Sequence, residues 1–94
     1  MSRTLRIPLD DDKPGALSYE TTGSERMVVE CAGGEARIFA NREAFNVLAQ
    51  IFGKLALGQY EPGFHVHLRA DLGHNAGEAD VLSVTLISDD ENAR

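Results

Sequence analysis

The alternation of apolar and polar residues predicts a series of short strands interrupted by one helix. Residues 4–9 place leucine and isoleucine at every second position, and residues 17–21 repeat the alternation more weakly. Such a period of two is typical of a strand with one buried face, so we expect these two segments to pair with each other. Pro8 has no N–H to donate to a ladder, which predicts that the first strand lies at a sheet edge.

The clearest hairpin is predicted over residues 27–39, with Gly33 and Gly34 as its two-residue turn. On one face Glu30 then opposes Arg37, an opposite-charge pair that contributes roughly 0.2–1 kcal/mol. A slip of one residue would move every side chain to the wrong face, which favours this register. The register also places three apolar pairs on the inner face: Met27 with Ala40, Val29 with Ile38, and Cys31 with Ala36.

A helix is predicted directly after this hairpin, over residues 41–57. Asn41 is a favourable N-cap, and Gly58 is expected to end the helix. Gly53 lowers the helix propensity and leaves room for a neighbouring strand to approach closely. Spacings of three and four residues predict the two faces. The buried face is Phe45, Leu48, Phe52 and Leu55, widened by Ala44, Val47 and Ile51, and the polar face is Arg42, Asn46, Gln50 and Lys54.

Two further strands are predicted over residues 64–68 and 80–87. The predicted fold is therefore α+β, a mainly antiparallel sheet in the order β-β-β-β-α-β-β with one helix packed on one face. We expect a single domain spanning residues 1–94, with residues 88–94 as a disordered polar tail. The expected inward residues are Phe64, Val66, Leu68, Leu82, Val84 and Leu86, and the outward ones are His65, His67, Val81, Ser83, Thr85 and Ile87.

Composition and charge narrow the class of protein. With 94 residues and 43% hydrophobic residues, the chain is expected to form one core without a metal or a disulfide. Cys31 is the single cysteine, so no internal disulfide can form, and we expect this thiol in the core rather than acting as a nucleophile. We find no signal peptide and no membrane span, which predicts a cytoplasmic protein. The net charge of −6 argues against nucleic-acid binding. It is explained by solubility alone, and the alternative is association with a basic protein partner.

The pattern His65-x-His67 is the sharpest chemical feature of the sequence. Residues two apart in a strand point the same way, so both imidazoles should project from one face, beside Ser83 and Thr85 of the last strand. We interpret these four residues as a candidate binding surface, with a plain solvated strand surface as the alternative. A second alternative is a metal site in which His74 joins the two histidines, with Asp71 or Glu78 nearby.

The sequence contains no motif that specifies a reaction. The serines lack a nucleophile-elbow context, and the glycines do not form a phosphate-binding loop. Asp10, Asp11 and Asp12 read as a solvated turn, since the alternating ligands of a calcium loop are missing. Asp71 and Glu78 read as surface-loop carboxylates. We therefore expect no catalytic residues and no cofactor.

From residue 27 to residue 88 the pattern resembles small bacterial immunity proteins of polymorphic toxin systems, family thirty-two in the usual numbering. Four features carry the resemblance: an Asn-x-Glu helix start, a Leu-Ala-rich helix, a His-x-His-Leu strand and an alternating last strand. In this chain these are Asn41 with Glu43, Leu48-Ala49 with Leu55-Ala56, His65 through Leu68, and Leu82-Ser83-Val84-Thr85-Leu86.

The resemblance implies a cytoplasmic protein that binds and neutralises a cognate toxin, with His65 and His67 matching the family's paired histidines. Residues 1–26 lie outside it, and residues 69–79 differ from the short acidic connection of the family. Two alternatives stay open: an interaction or regulatory domain, as a monomer or a homodimer, and a metal-dependent enzyme that uses the His65 and His67 face.

Overall fold

The computed structural model describes residues 4–7, 9, 17–73, 77 and 79–89. Their fold is α+β, with two antiparallel hairpins joined by one helix. Among these residues, no helix has the length and apolar character that crossing a membrane requires. In chain order the elements are β1 (Met27–Ala32), β2 (Glu35–Ala40), α1 (Arg42–Leu57), β3 (His65–Arg69) and β4 (Asp80–Thr85).

The first hairpin has the register that the sequence predicted. Each of the three apolar pairs is found, and Glu30 lies opposite Arg37. Gly33 and Gly34 both have positive φ, 59° and 79°, as a type I′ turn requires. The ion pair of Arg37, however, is made along its own strand, with Nε 2.9 Å from Glu35 Oε1.

The inner face of this hairpin is packed only at its root. Met27 is buried and Val29 and Ala40 are half-buried, whereas Cys31 and Ala36 near the turn are exposed. The prediction of Cys31 in the core is therefore wrong. The helix starts at the end of β2, so its side chains reach the root of the hairpin, and the turn projects beyond them.

The helix begins and ends where it was predicted. Asn41 Oδ1 accepts a hydrogen bond from Ala44 N at 2.9 Å, and Gly58 N donates to Lys54 O at 2.7 Å. Asn41 Nδ2 also donates to Ser24 O at 2.8 Å, which ties the helix start to the loop before β1. The cap therefore fixes both the helix start and the root of the first hairpin.

The buried face of α1 is rotated from the predicted one. Phe45 and Phe52, expected in the core, are 49% and 45% exposed, whereas Lys54, expected on the polar face, is only 3% exposed. Lys54 is held inside because its Nζ donates to Ser18 O at 2.6 Å, so the ammonium has a partner at the edge of the core. The buried apolar core consists of Met27, Ala44, Val47, Leu48, Ile51, Leu68 and Leu72.

The two strands predicted before residue 22 are not found among the described residues. Residues 4–7 and 9 have no strand conformation, and neither do residues 17–21, so the described residues form two sheets of two strands where a single sheet of six was predicted. These segments use their apolar residues for packing instead of pairing. Ile7 lies so close to the backbone of Gly53 that any side chain there would overlap it. The space that Gly53 was expected to leave for a neighbouring strand is therefore occupied by the side chain of Ile7, which lies in a segment without regular secondary structure.

The second hairpin has the predicted division into two faces. Val66, Leu82 and Val84 are half-buried against the core and Leu68 is fully buried, while the outward residues of both strands are exposed. The pairing continues past β4, since Leu86 N donates to Phe64 O at 2.9 Å. The predicted tail at 88–94 lies outside the described residues from position 90 onward, as do Asp10, Asp11 and Asp12.

Candidate binding face

The two histidines and the two hydroxyl residues predicted to share a surface do lie side by side. His65 pairs with Thr85 and His67 pairs with Ser83 across the β3–β4 ladder, and all four are exposed. Directly paired strand residues have Cβ atoms about 4.5–5.5 Å apart. The core packs against the opposite side of the same strands, so the backbone that carries these four side chains is held in place.

Asp80 joins this group through an irregularity in the ladder. The register shifts between Leu68 and Arg69, so that Arg69 pairs with Asp80 and one residue of β4 is left over. Such a bulge re-aims side chains, and here Asp80 Oδ2 lies 4.0 Å from His67 Nδ1. We call the exposed surface formed by His65, His67, Asp80, Ser83 and Thr85 the histidine face. Alternation along the chain does not predict Asp80 on this face, because a bulge breaks the period of two.

The two imidazole rings lie close together, and a backbone carbonyl orients the ring of His65. Their ring centres are 5.0 Å apart and their planes are at 83°. His65 Nδ1 is 3.1 Å from Gly63 O, and since a carbonyl oxygen can only accept, this nitrogen carries the proton in that bond. The Nε2 atom of His65 is then left as an acceptor or a ligand. Asp80 Oδ2 is the carboxylate oxygen that faces His67 Nδ1, at 4.0 Å, which is longer than a hydrogen bond.

The three-histidine metal site and the paired-carboxylate site are not assembled by the described residues. Among them, no group of three or more His, Cys, Asp or Glu side chains is arranged to hold a metal ion. Asp71 is not on the surface but fully buried, where its Oδ1 accepts a hydrogen bond from Gly73 N at 3.0 Å. Its role is to hold the turn after β3. His74 and Glu78 lie outside the described residues.

A second buried carboxylate, Glu25, was not identified from the sequence. Its Oε2 accepts from Thr22 N at 2.8 Å and from Thr22 Oγ1 at 3.3 Å, and its Oε1 accepts from Gly23 N at 3.0 Å. Burial by itself raises the pKa of Glu25, but these hydrogen bonds to the charged form outweigh it and hold the pKa below the usual value. The residue stabilises the loop before β1, and the signal for it was the Thr-Gly-Ser-Glu turn composition.

Comparison of the chain with protein-family models, with curated proteins and with solved structures found no match.

Proposed function

We propose that this chain is a non-enzymatic binding protein that recognises a protein partner through the histidine face. The observation that carries the proposal is the gathering of His65, His67, Asp80, Ser83 and Thr85 on one exposed side of the second hairpin. The other side of that hairpin contains fully buried Leu68. A surface backed by a packed core needs little ordering on binding, which favours its use in recognition.

The overall charge supports a basic partner. Six more acidic than basic charges raise the rate at which a positively charged protein is captured, and this steering weakens as salt screens it. The likeness of residues 27–88 to toxin immunity proteins supports a particular partner of this kind. In that version, the chain neutralises a bacterial toxin in the cytoplasm by direct binding, and no residue of the chain performs chemistry.

The test is neutralisation of a toxin encoded beside the gene for this chain. Cells that produce the toxin are expected to grow only when the chain is co-expressed, and the two purified proteins are expected to form a complex. Replacing Ser83 and Thr85 together by Arg should weaken the complex at least about tenfold, because it introduces bulk and like charge at the centre of the proposed interface. Growth arrest despite co-expression, or wild-type affinity of the Arg variant, would contradict the proposal.

The matched control is Phe39→Ser on the first hairpin. Phe39 is 52% exposed and its cross-strand partner Val28 is 55% exposed, so both can be changed without opening the core. We expect Phe39→Ser to leave toxin binding unchanged. A complex lost with this variant and kept with the Arg variant would place the partner on the first hairpin instead.

The same exposed pair favours a second candidate, an interaction domain that associates through its first hairpin, including with a second copy of itself. Apolar side chains grouped on a surface are typical of interaction sites. Sedimentation of the wild-type chain and of Phe39→Ser separates the two candidates. A dimer that Phe39→Ser dissociates would support the second candidate, and a monomer at all concentrations would contradict self-association.

A further inference from the structure

We infer that His65 and His67 form a two-ligand site for a first-row transition cation, with Zn²⁺, Ni²⁺ and Cu²⁺ as the ions that suit it. Both ligands lie in β3, two residues apart, and both are exposed, so the site needs no rearrangement of the backbone. The remaining coordination positions are filled by water. The inference does not depend on any protein partner.

The separation of the rings fits one shared ion. Zinc binds an imidazole nitrogen at about 2.1 Å, so each ring centre lies about 3.2 Å from the ion, and two rings at a tetrahedral angle have centres about 5.2 Å apart. The observed separation of the centres is 5.0 Å. The planes are at 83°, so the rings are not stacked on each other. The second side-chain torsion of histidine is soft, so small rotations about it can adjust the direction of each Nε2 while the outer contacts are kept.

The orientation of the rings selects Nε2 as the ligand atom in both residues. Histidines that bind metals usually donate their other ring N–H to a carbonyl or a carboxylate, which fixes the tautomer. Gly63 O supplies the carbonyl for His65, at 3.1 Å from its Nδ1. Asp80 supplies the carboxylate for His67, at 4.0 Å from its Nδ1, a distance that shortens to a hydrogen bond with a small side-chain movement. Each candidate ligand therefore has its own outer partner.

The donor set determines the class of ion. Imidazole suits Zn²⁺, Cu²⁺ and Ni²⁺, whereas Mg²⁺ and Ca²⁺ require oxygen ligands. Because the described residues add no third protein ligand, the ion is held on the surface with open positions and exchanges with solvent. Asp80 acts as a positioning residue, since it orients His67 instead of binding the ion.

The experiment is calorimetric titration of the untagged chain with NiCl₂ and with ZnCl₂. One ion per chain is expected, with His65→Ala and His67→Ala each lowering the affinity at least about tenfold, and Asp80→Asn lowering it about tenfold through the lost orientation of His67. Ile87→Ala is the matched control, because it removes an exposed outward side chain just beyond β4 that is neither a candidate ligand nor part of the histidine face. It should bind as the wild type does.

Spectroscopy separates coordination from a change in folding. In ¹⁵N spectra of the imidazoles, ZnCl₂ should shift both Nε2 resonances while both Nδ1 atoms stay protonated. The urea midpoint of each alanine variant without metal should equal that of the wild type. Wild-type affinity of both single alanine variants would overturn the assignment, as would MgCl₂ binding as tightly as NiCl₂ or an equal loss with His74→Ala.

Discussion

Both hairpins are antiparallel ladders, but they differ in how much of the inner face is packed against the core. In the β3–β4 hairpin the inward residues are covered along the length of the ladder, and Leu68 is fully buried. In the β1–β2 hairpin only Met27, Val29 and Ala40 at the root are covered, and both faces of the strands are exposed nearer the turn. Strand pairing and strand burial are thus separate properties. Turn chemistry and alternation determine the first, and the position of the helix determines the second.

The largest test of this comparison truncates one inward residue in each hairpin. Leu68→Ala in β3 should lower the free energy of unfolding by about 2–5 kcal/mol, because it leaves a cavity in the packed core. Ile38→Ala in β2 removes a side chain that is already 38% exposed and should cost about 1 kcal/mol or less. Urea unfolding followed by circular dichroism measures both. Equal costs would mean that the first hairpin is covered in solution.

A second test uses pH to probe the loop that precedes β1, at the root of the first hairpin. Because the pKa of Glu25 is lower in the folded chain than its ordinary value of 4.5, the charged form stabilises the fold above pH 4.5. This contribution is lost as the pH falls through the folded pKa. The stability gap between wild type and Glu25→Gln should therefore be largest near neutral pH and should close as the pH is lowered below 4.5.

The control for this test is Thr22→Ala, which removes the Oγ1 donor and keeps the backbone N–H that donates to the same carboxylate. Most of the pH dependence should persist in it. Unfolding midpoints measured from pH 7 down to about pH 3 distinguish the two variants. A gap between wild type and Glu25→Gln that widens on acidification would contradict the assigned direction of the pKa.

The smallest test concerns the turn at the tip of the first hairpin. Gly34 has φ of 79°, so Gly34→Ala should cost about 1 kcal/mol through backbone strain. Gly33→Asn should be close to neutral, since asparagine tolerates the left-handed region and Asn-Gly is a favoured type I′ pair. Amide hydrogen exchange of Ala32 and Glu35, the hydrogen-bonded pair next to the turn, should accelerate in the first variant only. Acceleration of the β3–β4 amides as well would show that the hairpins open together.

The features that could be predicted from sequence are local ones. Gly33-Gly34 between two alternating segments determines the register, and Asn41 before an amphipathic run determines the start of the helix. The face on which His65 and His67 lie follows from the same alternation. Each of these depends on residues only a few positions apart, and each prediction is confirmed.

The features that could not be predicted depend on distant partners. Apolar residues cover a wide arc of α1, so several rotations would bury an apolar face, and the observed one follows from contacts with Met27 and Leu68. Lys54 is buried because Ser18, far away in the chain, offers its carbonyl. Asp80 reached the histidine face through a bulge, and the residues before position 22 satisfied their apolar pattern by packing instead of pairing.

Leu72, in the turn after β3, lies at a position that accepts fewer kinds of side chain than the neighbouring positions do. Leu72 has φ of 58°, a conformation suited to glycine or asparagine, yet its side chain is only 1% exposed. Glycine would leave a cavity there, asparagine would bury an amide, and a β-branched residue would be strained by the backbone. The residues that satisfy the backbone and those that satisfy the core scarcely overlap. Almost every substitution at position 72 is therefore expected to destabilise the fold. Methionine is the main residue that could replace leucine there.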